Sequence, residues 1–444
     1  MSLADNSVEW DWSPSPTSSL VPSDFCGPGK VVASYRNLPP FFDEPRLIHL
    51  TGRIDLPGEM AAEPDQGLGA ASGASLSIER AATKMLGEAC ERLAVAGDPG
   101  DIPHRLDNFG SRPAALDPEL LAVGEVSGAE STSRRTDKIA WTSGFDRFGN
   151  VVSIPRQLVD VPYHYHPDEQ LWRVPITTGA AAGPSLEFAL YSGLCEVIER
   201  DAFMSAWLLQ ATPPAIDPHD LLARRKNSPE AELLERTLIA TERYRLDARF
   251  YQIPTGFSLT TVMCHLWDDT GLGAPLVVSA KTSPEPVSAI LGALEEAHQV
   301  RPWTRYLAGS WPCRTTSSPS NLRERAMLWF GDEPLERARE WIRSSEPAEI
   351  AALGMPTLRD LLVEISRQDA TTYFVDLSPR LSVRSPAASE ISVVKVIVPE
   401  FQPLYLTERL RDIAWARLAT FPQRSGLVPG VAPSQVESIP HPFL

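Results

Sequence analysis

The most constraining feature of this sequence is a helical pattern that occurs in three separate stretches of the chain. A shift of 108 residues aligns an E-x-x-E-R motif at 88–92 with a second one at 196–200. A further shift of 100 residues aligns a third stretch, in which Glu296 and Gln299 stand at the two acidic positions. A repeated pattern indicates a repeated structural unit. Three helices are therefore predicted to bring a polar, mostly acidic, pair of residues to the same relative place.

The apolar spacing around these motifs predicts an α+β fold. Helical periodicity extends over about 78–94, 186–208 and 286–300. Alternating or continuous apolar runs predict strands in KVVAS, RLIHLTGRIDL, NVVSIP, DARFYQIP, LTTVMCHLW, APLVVSAK and SVVKVIVP. Residues 64–75 are predicted as a Gly/Ala/Ser loop, 212–233 as a polar connection with a short helix, and 334–345, 357–367 and 406–420 as further helices. Strands and helices do not alternate as βαβ units, which favours mixed sheets over a doubly wound sheet.

Composition and charge exclude several classes of protein. The formal net charge of −16 argues against nucleic acid or an anionic membrane as the main partner. The first residues lack the basic start and apolar run of a secretion signal, and no segment approaches the roughly 18 apolar residues of a membrane span. We therefore expect a cytoplasmic protein. Five widely spread cysteines without a C-x-x-C pair indicate neither a disulfide framework nor a structural zinc site.

The repeated acidic pairs suggest a metal-dependent chemistry. Glutamates three residues apart share one helical face, where like charges repel each other, and burial increases the cost. A divalent cation removes that cost, because Mg²⁺ binds carboxylate and phosphate oxygens. We expect Mg²⁺ to bridge the glutamates to a nucleotide triphosphate, with Arg92 and Arg200 contacting phosphate or holding the carboxylates. The alternative interpretation is a solvated helix face or a duplicated architecture without function, and an acid in a first helical turn such as Glu187 is favoured by the helix dipole alone.

Five segments resemble one known family. TTGAAAGPSLEFALYSGLCEVIERDA (177–202) is very similar to the signature segment of YcaO-domain proteins, ATP-dependent enzymes that activate backbone amides of peptides. LGEACERLA and ALEEAHQVR resemble the other two helices of that family, and VVKVIVPEFQPLYL resembles its C-terminal β segment. The final SIPHPFL approximates the proline-spaced terminus of azoline-forming members, in which the terminal carboxylate reaches the active site.

The resemblance implies a domain organisation and a set of site residues. It implies a YcaO domain over 31–444 behind a flexible N-terminal arm at 1–30, with a Pro-rich tail at 430–444. Carried over by position, the metal and nucleotide carboxylates are Glu88, Glu91, Glu187, Glu196, Glu199 and Glu296, with Arg200 as the accompanying arginine and Glu88, Glu91, Glu196 and Glu199 as the metal ligands. The implied catalytic positions are Glu296, Pro442 and Leu444.

The function that the resemblance implies is cyclodehydration. An ATP- and Mg²⁺-dependent heterocyclase would form thiazoline or oxazoline rings in a ribosomally made precursor peptide. A separate leader-binding protein would deliver the peptide, and an FMN-dependent dehydrogenase often accompanies such systems. No nucleic acid or membrane partner is expected, and the sequence leaves open whether the chain forms a homodimer.

Departures from the family pattern leave alternatives open. Lys84 stands where members usually have Ser, Ala74 where they have Lys, Pro184 where they have Asn, and Gly292 where they have Arg. One interpretation is an altered nucleotide pose in which Lys84 supplies the lost positive charge. Another is weakened or absent ATP turnover, which would make the chain a non-catalytic scaffold. Thioamide or amidine formation is a further alternative within the same family.

Overall fold

A computed structural model describes most of the chain. The described residues are 23–54, 56, 69–97, 105–112, 114–122, 133–225, 228–309, 317–350, 353–432 and 434–443. Residues 1–22 of the predicted N-terminal arm, and Leu444 of the predicted tail, lie outside this part of the chain. None of the helices in the described ranges is both long enough and apolar enough to cross a membrane.

Three antiparallel sheets form the framework, which confirms the predicted α+β class. The first has the order β1-β2-β3, the second β10-β9-β8-β7 and the third β5-β4-β11-β12-β6. Their strands are β1 Ser34–Leu38, β2 Ile48–Arg53, β3 Ala70–Ser75, β4 Trp141–Asp146, β5 Val151–Pro155, β6 Ala180–Gly183, β7 Ala215–Ile216, β8 Asp247–Gln252, β9 Thr260–Trp267, β10 Leu276–Ser283, β11 Tyr373–Asp376 and β12 Ser392–Ile397.

Three long helices pack on these sheets, and shorter ones surround them. The long helices are α1 Ile78–Val95, α2 Leu186–Leu208 and α5 Pro286–Ala308. The shorter helices are α3 Pro218–Arg224, α4 Pro229–Arg243, α6 Leu322–Leu328, α7 Asp332–Ile342, α8 Leu358–Arg367, α9 Ser378–Arg384, α10 Trp415–Ala419 and α11 Phe421–Ser425. Serine caps start α1 and α2, because the hydroxyls of Ser77 and Ser185 accept from backbone N–H groups of the first turn.

Each repeat consists of an edge strand followed by a long helix. Strands β3, β6 and β10 lie at one edge of the first, third and second sheets. Each of them leads within a few residues into α1, α2 or α5. An edge strand presents unpaired backbone N–H groups to its surroundings. The repeat therefore places three such edges beside the helices that carry the acidic motifs.

Several predicted elements differ from the structure. Part of the predicted loop 64–75 is β3, where small residues are required because a Cβ on Gly73 would lie 2.2 Å from the carbonyl oxygen of Ala81 in α1. The helix predicted at 406–420 is replaced by irregular chain and the five-residue helix α10, and the equally short α11 follows directly after this range. The connection predicted at 212–233 with one short helix contains the short helix α3, but it also contains the start of a longer helix, α4, which begins at Pro229. The third repeat helix continues to Ala308, past Pro302.

Candidate functional site

The acidic side chains of the motif helices accept hydrogen bonds from the edge strands of the sheets. The carboxylate of Glu88 accepts a hydrogen bond from the N–H of Ser72 in β3 at 2.7 Å. The carboxylate of Glu91 reaches the next repeat and accepts from the N–H of Ala182 in β6 at 3.0 Å. Charge-assisted hydrogen bonds of this kind are stronger than neutral ones. The edge strands and the motif helices are thereby joined.

The same helical position makes the cross-repeat contact in all three copies. Glu199 of α2, the equivalent of Glu91, accepts from the N–H of Thr282 in β10 at 2.7 Å. In α5 the equivalent residue is Gln299, whose side-chain nitrogen donates to the hydroxyl of Ser72 at 2.9 Å. The first repeat thus contacts the second, the second contacts the third, and the third contacts the first. The three repeats form a closed ring with the motif residues on its inner side.

Burial and mutual repulsion disfavour the charged forms of these carboxylates. Burial, followed by repulsion from Glu196, raises the pKa of Glu91 to about 8. Burial also raises the pKa of Glu196, and it raises that of Glu199 to about 7 although Lys281 and Arg200 oppose the shift. Glu296 of the third repeat is close enough to repel both Glu196 and Glu199. The acids from three helices therefore converge electrostatically, as the repeat predicts.

Arg200 lies at this centre with unused hydrogen-bond donors. Its Nη2 is 3.7 Å from Glu199 and 3.8 Å from Glu196, and its buried Nε and Nη1 have no hydrogen-bond partner in the described part of the chain. The ring of Phe443, in the C-terminal tail, lies 3.9 Å from the guanidinium carbon. The tail is held there by a parallel bridge between Phe443 and Val278 of β10. The ring of Phe443 covers one face of the Arg200 guanidinium, and the Nε and Nη1 edge of the guanidinium stays free for an anion.

Lys281 of β10 is a cation of the centre that the sequence analysis did not identify. It occupies the place of Gly73 and Ala181 in the other repeats, and a Cβ on Gly292 would lie 2.7 Å from its Cγ. The glycine in α5 thus makes room for the lysine stem. Burial opposes its charge, but attraction from Glu199, Glu296 and Glu196 raises the pKa of Lys281. Part of the side chain is exposed to solvent, and its ammonium has no hydrogen bond or ion pair among the described residues.

Other predicted site residues have partners of their own. Arg92 binds the Glu88 carboxylate and the carbonyl oxygen of Ala70, so it holds a carboxylate in place. The Lys84 ammonium lies 2.6 Å from the wholly buried Glu295 carboxylate of α5. Arg80 contacts the same Glu295 oxygen at 2.7 Å. The positive charge of Lys84 is therefore compensated within the protein.

Glu187 is not brought to the centre. It is exposed in the first turn of α2. Glu187 and Glu196 are nine positions apart, which corresponds to a rotation of about 180° around a helix and places them on opposite faces. Its placement gives the predicted nucleotide role no support, and it suits the helix-dipole interpretation.

The predicted catalytic positions are placed unequally. Glu296 faces the cluster, as its effect on Glu196 and Glu199 shows. Pro442 is buried beside Phe443 at the end of the tail, and Leu444 lies outside the described residues. His441, next to them, accepts or donates through its Nε2 to the carbonyl oxygen of Tyr405 at 2.7 Å and anchors the tail.

The donor set fits Mg²⁺ together with phosphate better than Mg²⁺ alone. No three acidic, His or Cys side chains in the described ranges lie close enough to hold a metal ion by themselves. Mg²⁺ is usually bound by one or two carboxylates, with phosphate and water oxygens completing its octahedron. Buried acids with raised pKa values, next to the free donors of Arg200 and Lys281, match that arrangement. The four predicted ligands Glu88, Glu91, Glu196 and Glu199 therefore do not form a closed metal cage.

A family model and several solved structures match this chain. The family model "YcaO cyclodehydratase, ATP- and Mg²⁺-binding" matches residues 72–402. A structure described as a heterocyclase in complex with substrate and cofactor superimposes with a TM-score of 0.70 at 17% identity, covering 93% of this chain and 55% of that one. This chain therefore spans little more than half of that heterocyclase.

Two further structures share the fold over most of their length. YcaO from Methanopyrus kandleri, bound with AMPPCP and Mg²⁺, has a TM-score of 0.56 at 17% identity, with 84% of this chain and 86% of that one covered. The E. coli microcin synthetase McbBCD complex with pro-MccB17 bound has a TM-score of 0.59 at 15% identity, with 83% and 88% covered. The match of the family model over most of the chain is decisive: this protein belongs to the YcaO family of ATP- and Mg²⁺-binding cyclodehydratases.

Proposed function

We propose that this chain is an ATP- and Mg²⁺-dependent cyclodehydratase that forms thiazoline or oxazoline rings in a ribosomally made precursor peptide. One observation carries the proposal: acids from three repeats lie within electrostatic reach of one another, beside the free donors of Arg200 and Lys281. One or two of the carboxylates of Glu196, Glu199 and Glu296 would hold the divalent cation, and phosphate and water oxygens would complete its coordination. Arg200 and Lys281 would donate to phosphate oxygens, as arginine and lysine commonly do.

The chemistry requires an amide oxygen to become a leaving group. A Cys, Ser or Thr side chain of the peptide adds to the preceding carbonyl carbon. The former carbonyl oxygen then leaves as phosphate while the amide nitrogen loses its proton, and a C=N bond forms. Bound Mg·ATP supplies the phosphoryl group for this step. Arg200 and Lys281 neutralise the negative charge that develops on the transferred group, which is the main contribution that a site of this kind makes.

The tail supports the azoline-forming branch. Phe443 packs against Arg200, which places the last described residue of the tail beside the centre. We include Pro442 and Leu444 in the proposal as residues that act on the peptide. Deleting residues 442–444 is expected to slow ring formation more than it weakens nucleotide binding. Equal loss of both would show that the tail only holds Arg200.

We further propose that a separate leader-binding protein delivers the peptide and that an FMN-dependent dehydrogenase acts afterwards. The fold shared with a chain of a multi-protein synthetase that binds a pro-peptide supports the first of these partners. Co-purification with the cognate leader peptide and a leader-binding protein tests it. A chain that modifies the peptide unaided would contradict it.

Phosphate release in the presence of the cognate peptide and partner tests the catalytic proposal. Release is expected for the wild-type chain and for E187Q, whose side chain lies away from the centre. Phosphate release should be lost in E196Q and E199Q, because each change removes a carboxylate charge that would hold the cation. The fold should be kept, because glutamine has nearly the same volume as glutamate. Unchanged release in both variants would refute the site.

One observation favours a second candidate, a scaffold subunit without turnover. Lys84 is bound to Glu295 and cannot replace the basic nucleotide contacts that the chain lacks at Ala74 and Gly292. Calorimetry with Mg·AMPPCP separates the candidates. Absence of both nucleotide binding and phosphate release would establish the scaffold.

A further inference from the structure

A small cavity adjoins the carboxylate centre at Arg200. It has a volume of about 60 Å³ and lies between the start of the β6 segment, α2 and the end of β12. Its walls include Ile176, Thr178, Val197, Val396 and Phe401. At about 15 Å³ for each water centre, the volume accommodates roughly four waters, comparable with a group of five heavy atoms such as phosphate.

Three cations and no acid line this cavity. Arg173, Arg200 and Lys395 contribute to its wall, and none of the described residues that line it is Asp or Glu. Lys395 is almost wholly buried, with 2% of its surface exposed. Its ammonium donates to the carbonyl oxygen of Ile176 at 2.6 Å and has no ion pair among the described residues. A buried cation without an anionic partner is costly.

The acids near these cations leave part of their charge uncompensated. Arg173 lies 3.4 Å from Asp412 and also donates to the carbonyl oxygen of Ala122 at 2.6 Å. Arg200 reaches its nearest carboxylates only at 3.7 and 3.8 Å, and its Nε and Nη1 are unused. Burial lowers the pKa of Lys395 to about 7, and repulsion from Arg173 adds to this effect although Glu196 and Glu91 oppose it. An anion in the cavity would relieve the repulsion between these cations.

We propose that this cavity binds a phosphate dianion, held by Lys395, Arg173 and the free edge of Arg200. The inference rests on the proposed function, in which phosphate leaves the peptide beside Arg200. Two sources share this chemistry, the γ-phosphoryl group of the nucleotide and free orthophosphate. Arg200 lines the cavity and also lies near Glu196 and Glu199, whereas Lys395 lines the cavity within electrostatic reach of Glu196 and Glu91. The cavity thus receives the phosphate beside the carboxylates that hold the cation.

Calorimetry of orthophosphate binding to the full chain, alone and with Mg·ADP, tests the proposal. K395M is expected to weaken orthophosphate binding at least tenfold, the loss of about one hydrogen bond to a charged group, while Mg·ADP affinity stays unchanged. T178L should do the same by filling the cavity without removing a charge. K138M, at an exposed lysine, is the matched control and should bind orthophosphate normally.

The outcomes are distinguishable. Absence of orthophosphate binding by the wild-type chain, or equal binding by wild type, K395M and T178L, overturns the cavity assignment. Weaker AMPPCP binding by K395M, with normal ADP binding, identifies the γ-phosphoryl group as occupant, and normal binding of both nucleotides identifies free phosphate. Failure of Mg·nucleotide binding with intact orthophosphate binding would refute the proposed function and leave the cavity standing. Thermal unfolding of each variant checks that it is folded.

Discussion

Arg92 and Arg200 occupy equivalent places in two copies of the same motif, yet their surroundings differ. Arg92 donates to the Glu88 carboxylate and to the Ala70 carbonyl oxygen, and it joins α1 to its own strand. Arg200 stands 3.7 Å or more from its carboxylates and keeps two donors free. The arginine of the first copy is therefore bound within the protein, whereas the arginine of the second keeps donors available for the proposed ligand. The two arginines occupy the same motif position, and their different contacts come from the strands and the C-terminal tail that surround them.

The largest expected effect concerns the ion pairs of Glu295 with Arg80 and Lys84, where the positive charges are compensated within the protein. E295Q removes the charge that compensates Arg80 and Lys84 in a wholly buried position. Breaking a buried ion pair from one side costs roughly 3–5 kcal/mol, and partial exposure of the two cations places this case nearer 2–3 kcal/mol. Urea denaturation measures the free energy of unfolding. The exposed E187Q is the control and should change it by less than about 0.5 kcal/mol. Equal effects of both changes would contradict the assignment.

The next effect concerns Arg200, whose Nε and Nη1 have no hydrogen-bond partner among the described residues. R200M should weaken Mg·AMPPCP binding by about 10- to 100-fold, which corresponds to the 1.5–3 kcal/mol of hydrogen bonds to charged groups. The free energy of unfolding should change little, because Arg200 makes no close hydrogen bond among the described residues. Calorimetry and urea denaturation together measure the two quantities. A variant that unfolds easily but binds nucleotide normally would reverse the comparison.

R92M is the converse experiment. Loss of the bonds to Glu88 and Ala70 should lower the free energy of unfolding by about 1–2 kcal/mol, while Mg·AMPPCP affinity falls by less than about threefold, or 0.7 kcal/mol. If R92M and R200M have the same profile, the two copies of the motif are functionally alike. The comparison then fails.

The smallest effect is a dependence of ligand binding on pH. The pKa of Glu91 is raised to about 8 and that of Glu199 to about 7, so both carboxyl groups are largely protonated below pH 7. Mg²⁺ binds the deprotonated form, and its binding must release protons. Mg·AMPPCP affinity should therefore rise as pH increases from about 6 to 8 and level off above the higher pKa. Calorimetry in buffers of different ionisation enthalpy counts the released protons. A flat profile would show that the acids are already charged without the metal.

The repeated helices and their acidic positions could be predicted from sequence because both depend on local spacing. The bounds of α2 and the convergence of Glu196, Glu199 and Glu296 follow from periodicity and from the alignment of the repeats. The strand β3 was missed because its Ala, Gly and Ser residues are selected by close contact with α1, not by strand propensity.

Contacts between repeats account for what the sequence did not reveal. Lys281 lies on a strand whose pattern is apolar, and only the space over Gly292 shows where its side chain goes. Lys84 looked available for phosphate, but Glu295 lies 211 residues away in sequence and 2.6 Å away in space. Pairings at such separations have no local signal. The sequence shows which charged residues the motifs contain, but the partners of these residues, and so their roles, can be assigned only from the tertiary structure.

The closed order of the three repeats has a consequence for how the protein matures. Until the last edge strand docks, Glu199 lacks the backbone N–H of Thr282 in β10 and Gln299 lacks the hydroxyl of Ser72 in β3, so the carboxylate centre forms only when all three repeats are assembled. Long-range closures of this kind form slowly, since chain entropy is lost before the contacts repay it. A ligand of the centre recognises no partly assembled intermediate, and its whole binding free energy stabilises the finished molecule. Nucleotide supply would then act as a folding aid as well as a substrate supply.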